Sequence, residues 1–69
     1  MIYCRAHVET IRPSTPHRQG EFEVVVMGDE PHDFVRTYRI TAKDDNMAAR
    51  AGIDRFVDEI GKLTSGAKN

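Results

Sequence analysis

The sequence predicts an α+β fold, a three-stranded antiparallel meander followed by one C-terminal helix packed on one face (βββα). Two observations predict it. Three segments within residues 2–41 alternate apolar and polar side chains, which is typical of half-buried strands. After residue 44 the apolar side chains instead recur every three or four residues, as on an amphipathic helix. We therefore expect a single βββα domain over residues 1–64 and a flexible C-terminal tail over residues 65–69.

The size and composition of the chain limit the class of protein. With 69 residues it can form one hydrophobic core, and its 30% charged and 39% hydrophobic content is typical of a globular protein. Cys4 is the single cysteine, so no disulfide within the chain can support so small a core, and oligomerisation is a common alternative. A single cysteine also fits a reducing compartment, and no apolar run approaches the ~20 residues that span a bilayer. We expect a soluble, cytoplasmic protein without membrane association.

The first strand is predicted over residues 2–12, because Ile2, Cys4 and Val8 share one face and polar side chains the other. The loop over residues 12–20 contains two prolines, which disfavour regular strand pairing. It is also longer than a tight hairpin needs, so we expect it to be either mobile or functional.

The next two strands are predicted over residues 21–28 and 34–41. The first of these carries the run Val24-Val25-Val26, which places apolar side chains on both faces and is typical of a central strand. The second carries Phe34 and Arg36 on its otherwise apolar face. An edge position would let the guanidinium of Arg36 reach water.

The alternation also predicts the strand registers. Pairing Phe22 with Ile40 in one hairpin and Val8 with Val24 in the other collects the larger apolar side chains on one face. Moving either register by one residue would destroy this segregation, so the registers are specified by the pattern itself.

The helix is predicted to begin near residue 44, with Thr41, Asp44 and Asp45 as candidate caps. The small residues Ala49 and Gly52 are expected where the helix comes closest to the sheet. The apolar face of the helix is expected to consist of Ala49, Gly52, Ile53, Phe56, Ile60 and Leu63.

No catalytic, cofactor or metal site is predicted. Cys4 and His7 fall on opposite faces of their strand and cannot bind one ion without a bulge, and the cysteine and histidine spacings of structural zinc sites are absent. Ser14, Thr15 and His17 share a loop, but no acid is placed to orient the histidine for nucleophilic catalysis. We therefore expect a protein that is not an enzyme.

The loop and strand TPHRQGEFEVVVM resemble the corresponding part of the double-stranded-RNA-binding domain, where a proline–histidine loop leads into an alternating strand. The segment MAARAGIDRF is similar to the alanine-rich last helix of that family. The resemblance covers roughly residues 8–63 and implies the same order of three strands and a helix. It also implies that His17 and Arg18 lie in the loop that enters the RNA minor groove.

Nucleic-acid binding through this loop is therefore the alternative function, with Arg12, His17 and Arg18 as candidate contacts. The family opens its last helix with lysines that contact phosphates, whereas Asp44 and Asp45 stand here and repel phosphate. The net charge of −1 also lacks the basic excess of most polyanion binders. A protein is the favoured partner.

The leading hypothesis concerns the face of the sheet that a single helix cannot cover. Tyr3, Val25, Met27 and Val35 are expected to lie there, with the two valines and the methionine as close neighbours. Apolar side chains that cluster on a solvent face commonly mark an interface. We expect a small non-enzymatic binding module that uses this face to bind a protein partner or to form a homodimer.

Overall fold

The computed structural model describes the backbone of residues 2–66 and the side chains of residues 2–63. The strands follow the order β1-β2-β3 in one antiparallel sheet, and the helix contacts all three of them. The predicted βββα fold is confirmed. Within the described residues, no helix is long and apolar enough to cross a membrane. The elements are β1 (Cys4–Arg12), β2 (Gly20–Gly28), β3 (Val35–Ala42) and α1 (Asp45–Gly66).

Both predicted registers are confirmed. Val8 lies opposite Val24 in the first hairpin, and Phe22 lies opposite Ile40 in the second. The even-numbered residues of the three strands therefore face α1 and the odd-numbered residues face away from it, except at Arg12, where a bulge after Thr10 shifts the register and pairs Arg12 with Glu21. The buried core between the sheet and the helix consists of Phe22, Val24, Val26, Ile40, Ala42, Ala48, Phe56 and Ile60.

The first turn of α1 is capped by one of the predicted residues. The backbone N–H of Met47 donates to Asp44 Oδ1 at 2.8 Å, so Asp44, rather than Thr41 or Asp45, satisfies a free amide of the first turn. At its other end α1 continues to Gly66, so the first two residues of the predicted 65–69 tail have helical backbone. The rest of that tail lies outside the described residues.

The helix meets the sheet at Gly52, as predicted. A Cβ atom added there would lie 2.6 Å from Val24 Cγ1, closer than real side chains approach. The second small residue at the contact is Ala48, which is fully buried, and the prediction of Ala49 is wrong, since that residue is only half-buried. A four-residue step from Gly52 stays on the helix face that is closest to the sheet.

Two residues predicted in the core lie at its margin. Leu63 is 51% exposed, because Phe56, two turns earlier, already reaches Gly28 at the end of β2 and the helix then extends past the sheet. Phe34 precedes β3 and is 36% exposed. Its N–H donates to His32 O within the turn at 2.9 Å, and its ring lies 5.6 Å from the Arg36 guanidinium.

Candidate binding site

The face of the sheet opposite α1 carries the predicted apolar residues at one end. Met27 lies directly opposite Val35, and Val25 precedes Met27 by two positions on the same face. Tyr3 adjoins them, because its carbonyl accepts a hydrogen bond from the N–H of Asp29, which continues the β1–β2 pairing. We call Tyr3, Val25, Met27 and Val35 the sheet-face cluster. Its outer members, Tyr3 and Val35, are 64% and 57% exposed.

The other end of the same face is charged. Glu23 lies between Glu9 on β1 and Arg39 on β3. Glu21 accepts a hydrogen bond from Arg12 at 3.3 Å and lies 3.9 Å from the Arg39 guanidinium. These pairs are exposed and contribute little to stability. The uncovered face is thus divided into an apolar end and a charged end.

The loop between β1 and β2 is more regular than predicted. Thr15 N–H donates to Arg18 O at 2.8 Å, and Arg18 N–H donates to Thr15 O at 3.3 Å, which closes a tight turn over Pro16 and His17. Proline fits the second position of such a turn because its φ is already fixed there. Gly20 permits the return of the chain, since an added Cβ would lie 2.7 Å from the Ser14 backbone nitrogen. The prolines therefore shape this loop rather than prevent its pairing.

A groove of about 510 Å³ lies beside this turn and is lined by residues 14–19 and Lys43. It brings the predicted residues His17 and Arg18 together with Lys43, which was not among the predicted contacts. The meander order could have located Lys43, because the end of β3 lies beside the start of β2. Arg12, the third predicted contact, lines an adjoining groove of about 450 Å³ together with His17 and Arg18, and its guanidinium pairs there with Glu21.

A polar cluster on the opposite side of the sheet joins α1 to β3. Glu59 accepts hydrogen bonds from Arg36 Nε at 2.9 Å and from the Tyr38 hydroxyl at 2.7 Å. The Arg55 guanidinium lies 5.5 Å from the centre of the Tyr38 ring. The strand pattern predicts an edge position for Arg36 but does not indicate Glu59 as its partner, since a separation of 23 residues carries no local signal.

The ionisation of this cluster indicates a structural role. Burial and the hydrogen bond to Glu59 raise the pKa of Tyr38 to about 12. The hydrogen bonds from Tyr38 and then from Arg36 lower the pKa of the Glu59 carboxyl. Each oxygen of Glu59 accepts one of these hydrogen bonds, and a carboxylate with a lowered pKa is a weaker base.

Cys4 and the acidic residues do not form a reactive or metal-binding group. Cys4 is half-buried against the core, and burial followed by the charge of Asp29 raises the pKa of its thiol. A thiol with a raised pKa is a poor nucleophile at neutral pH. Among the described residues, no group of three His, Cys, Asp or Glu side chains could hold a metal ion.

The structure thus separates the two sets of predicted site residues. The sheet-face cluster lies toward the end of β2 at Gly28, and the basic loop lies beyond the start of β2 at Gly20. Comparison with protein-family models, curated proteins and solved structures finds no match for this chain. These two surfaces are therefore the basis on which a function can be proposed.

Proposed function

We propose that this protein is a small non-enzymatic binding module that docks on another protein molecule through the sheet-face cluster. The observation that supports the proposal is that four apolar residues occupy neighbouring register positions on a face that α1 does not cover. Contiguous apolar surface of this kind is typical of protein interfaces. Burying one large apolar side chain contributes roughly 1.5–3 kcal/mol, so a few such residues can supply much of a binding energy.

The residues around the cluster are suited to the rim of an interface. Arg5 lies opposite Met27, and His7 and Thr37 lie on either side of Val25. An apolar centre with a polar surround is the usual arrangement at protein interfaces, where the rim excludes water from the centre. The occupant is a protein surface with a complementary apolar patch, on a foreign partner or on a second copy.

Photo-crosslinking followed by a binding measurement tests this proposal. A photo-crosslinking amino acid at Val35 should capture the partner in cells that express the protein, and the same amino acid at Thr41, on the same face and strand beyond the cluster, should not. Binding of the purified partner, measured by calorimetry, should be abolished by Met27→Glu or Val25→Glu, because either change buries a charge in the apolar centre. Thr41→Glu should bind as the wild type does.

The circular dichroism of each variant shows whether the domain is still folded. A folded Met27→Glu protein that binds the partner as tightly as wild type would overturn the proposal, and so would equal capture at positions 35 and 41. A captured partner that proves to be this chain itself would identify the docked protein as a second copy.

A second candidate function is binding of a nucleic-acid backbone by the β1–β2 loop. The observation that favours it is the groove that brings His17, Arg18 and Lys43 together at the tip of the hairpin. Cationic and hydroxyl side chains around a groove are suited to phosphate oxygens. Arg12 contributes less, because Glu21 already neutralises it.

Fluorescence anisotropy with a labelled RNA duplex and a DNA duplex of the same sequence tests the second function. Affinity should fall steeply with salt, and Arg18→Ala or Lys43→Ala should each lower the log–log salt slope by about 0.9, the value for one lost phosphate contact. Arg12→Ala should have a smaller effect, and Met27→Glu, far from the loop, should have none. Binding that is absent at low salt, or that survives the loss of both Arg18 and Lys43, would exclude this function.

A further inference from the structure

The outer edge of β1 is open along most of its length. Asp29 N–H donates to Tyr3 O, so the odd-numbered residues of β1 are the ones that hydrogen-bond to β2. The N–H and C=O groups of the even-numbered residues between 4 and 10 therefore point away from the sheet. No backbone hydrogen bond joins them to another described segment. A bulge between Thr10 and Arg12 ends this regular edge, which spans residues 4–10.

This edge is complementary to itself. Its midpoint is His7, and antiparallel pairing about that residue places Arg5 of each copy opposite Glu9 of the other. Ala6 then lies opposite Val8, and the even-numbered residues of both copies meet as hydrogen-bonded pairs. Opposite charges directly across a strand pair are favourable, and this register contains two such pairs. Registers centred on Arg5 or on Glu9 would instead place like charges opposite each other.

The other edge of the sheet is less suited to pairing. Gly28 N–H donates to Phe34 O, so the carbonyl of Val35 points to the outer edge of β3. The Arg36 guanidinium donates a hydrogen bond to that carbonyl at 3.0 Å, so the carbonyl is not available to pair with an added strand. Since β3 carries Arg36 and Arg39 but no acidic residue, self-pairing there offers no opposite charges. Blocked edges of this kind are a common protection against unwanted strand addition.

The helices leave room for pairing at β1. The helix α1 crosses all three strands and packs tightly on Val24 of the central strand β2 at Gly52. Two copies joined at β1 would have their β2 strands three strand spacings apart, or about 14 Å. An α-helix is about 10–12 Å across with its side chains, so the two helices fit side by side on one face.

From these observations we infer that two copies of this chain join at the outer edge of β1 to form a two-fold symmetric, six-stranded antiparallel sheet. The inference uses the β1 backbone with Arg5 and Glu9 and does not depend on the proposed function of the sheet-face cluster. The pairing places both helices on one face of the larger sheet. The two sheet-face clusters lie together on its other face, where they remain available to a partner.

Charge reversal tests the inference, with mass measured by sedimentation velocity and light scattering. The wild type should sediment as a dimer with twice the 7.8 kDa mass of one chain. In a dimer of either single variant, Arg5→Glu or Glu9→Arg, both 5–9 pairs across the interface consist of like charges. Each substitution should therefore weaken the affinity of the dimer by more than about 100-fold. An equimolar mixture of the two single variants should dimerise again. In that mixed dimer the introduced glutamate of one chain lies opposite the introduced arginine of the other, and the two unchanged residues, Glu9 and Arg5, also meet.

The double variant Arg5→Glu/Glu9→Arg should likewise restore the dimer, which a variant that merely failed to fold would not do. Thr41→Glu, on β3 and outside both proposed interfaces, is the control and should leave the mass unchanged. A wild type that stays monomeric would overturn the inference, as would a dimer that survives both single reversals. Val25→Glu, which lies opposite His7 rather than Arg5 or Glu9, should keep the dimer even where it abolishes partner binding, so the two proposals fail independently.

Discussion

Replacing Phe56 with alanine should leave the protein largely unfolded. The Phe56 ring is fully buried, and its tip lies 3.0 Å from where a Cβ on Gly28 would be. Removing a fully buried phenylalanine costs roughly 3–5 kcal/mol, from lost burial and from the cavity left behind. The total stability of a domain this small is of about the same size. Urea unfolding followed by far-ultraviolet circular dichroism measures the loss.

Val57→Ala is the matched control for this substitution. Val57 is adjacent in α1 but 38% exposed, so its truncation should change the free energy of unfolding by less than about 1 kcal/mol. A Phe56→Ala protein that unfolds at nearly the wild-type urea concentration would show that this face of the helix does not pack on the sheet.

Two glycines of the same helix should respond to alanine in opposite directions. Alanine is better than glycine in a helix interior by about 1 kcal/mol. At Gly61 no described atom outside the local helix backbone lies within 4 Å of an added Cβ, so Gly61→Ala should raise the free energy of unfolding by about 0.5–1 kcal/mol. At Gly52 the added methyl would lie 2.6 Å from Val24 Cγ1, and overpacking there should cost about 1–3 kcal/mol. Gly52→Ala should therefore be the less stable protein.

Thermal unfolding of the wild type and the two variants under identical conditions gives the comparison. Because each change adds one methyl group to the same helix, their difference isolates the contact with β2. Equal stabilisation by both substitutions would mean that α1 stands further from the sheet at Gly52 than the structure places it.

The three surfaces proposed for binding can be studied separately. Met27 probes the uncovered face, Arg18 probes the loop, and Arg5 with Glu9 probes the sheet edge. Each of these side chains is absent from the buried core, so its substitution tests recognition with little effect on folding. The four variants in one background would show which surface carries the function.

Much of the fold could be predicted because its signals are local. The alternation of apolar and polar side chains predicted that Val8 lies opposite Val24 and Phe22 opposite Ile40. A one-residue slip in either register would move the apolar side chains of a strand to the other face of the sheet. The candidates for the helix cap could be limited to Thr41, Asp44 and Asp45, because a capping side chain lies within one turn of the start of the helix. The membership of the sheet-face cluster followed from the same alternation.

Other features depended on where the elements meet and end. The sequence could not distinguish Ala48 from Ala49 at the contact or exclude Leu63 from the core, because both depend on how α1 crosses a sheet of finite length. Nor could it join Lys43 to the loop or Glu59 to Arg36, since these contacts link distant parts of the chain.

The sequence by itself therefore determined the order of the elements, the strand registers and the faces on which side chains lie. These features follow from the spacing of apolar residues, which repeats every two residues in a strand and every three or four in a helix. Only the tertiary structure decided which sheet edge is open. The guanidinium of Arg36 covers the Val35 carbonyl on β3, while no described residue forms such a hydrogen bond to the outer edge of β1 between residues 4 and 10. That difference depends on the path of one long side chain in three dimensions, which no local pattern specifies.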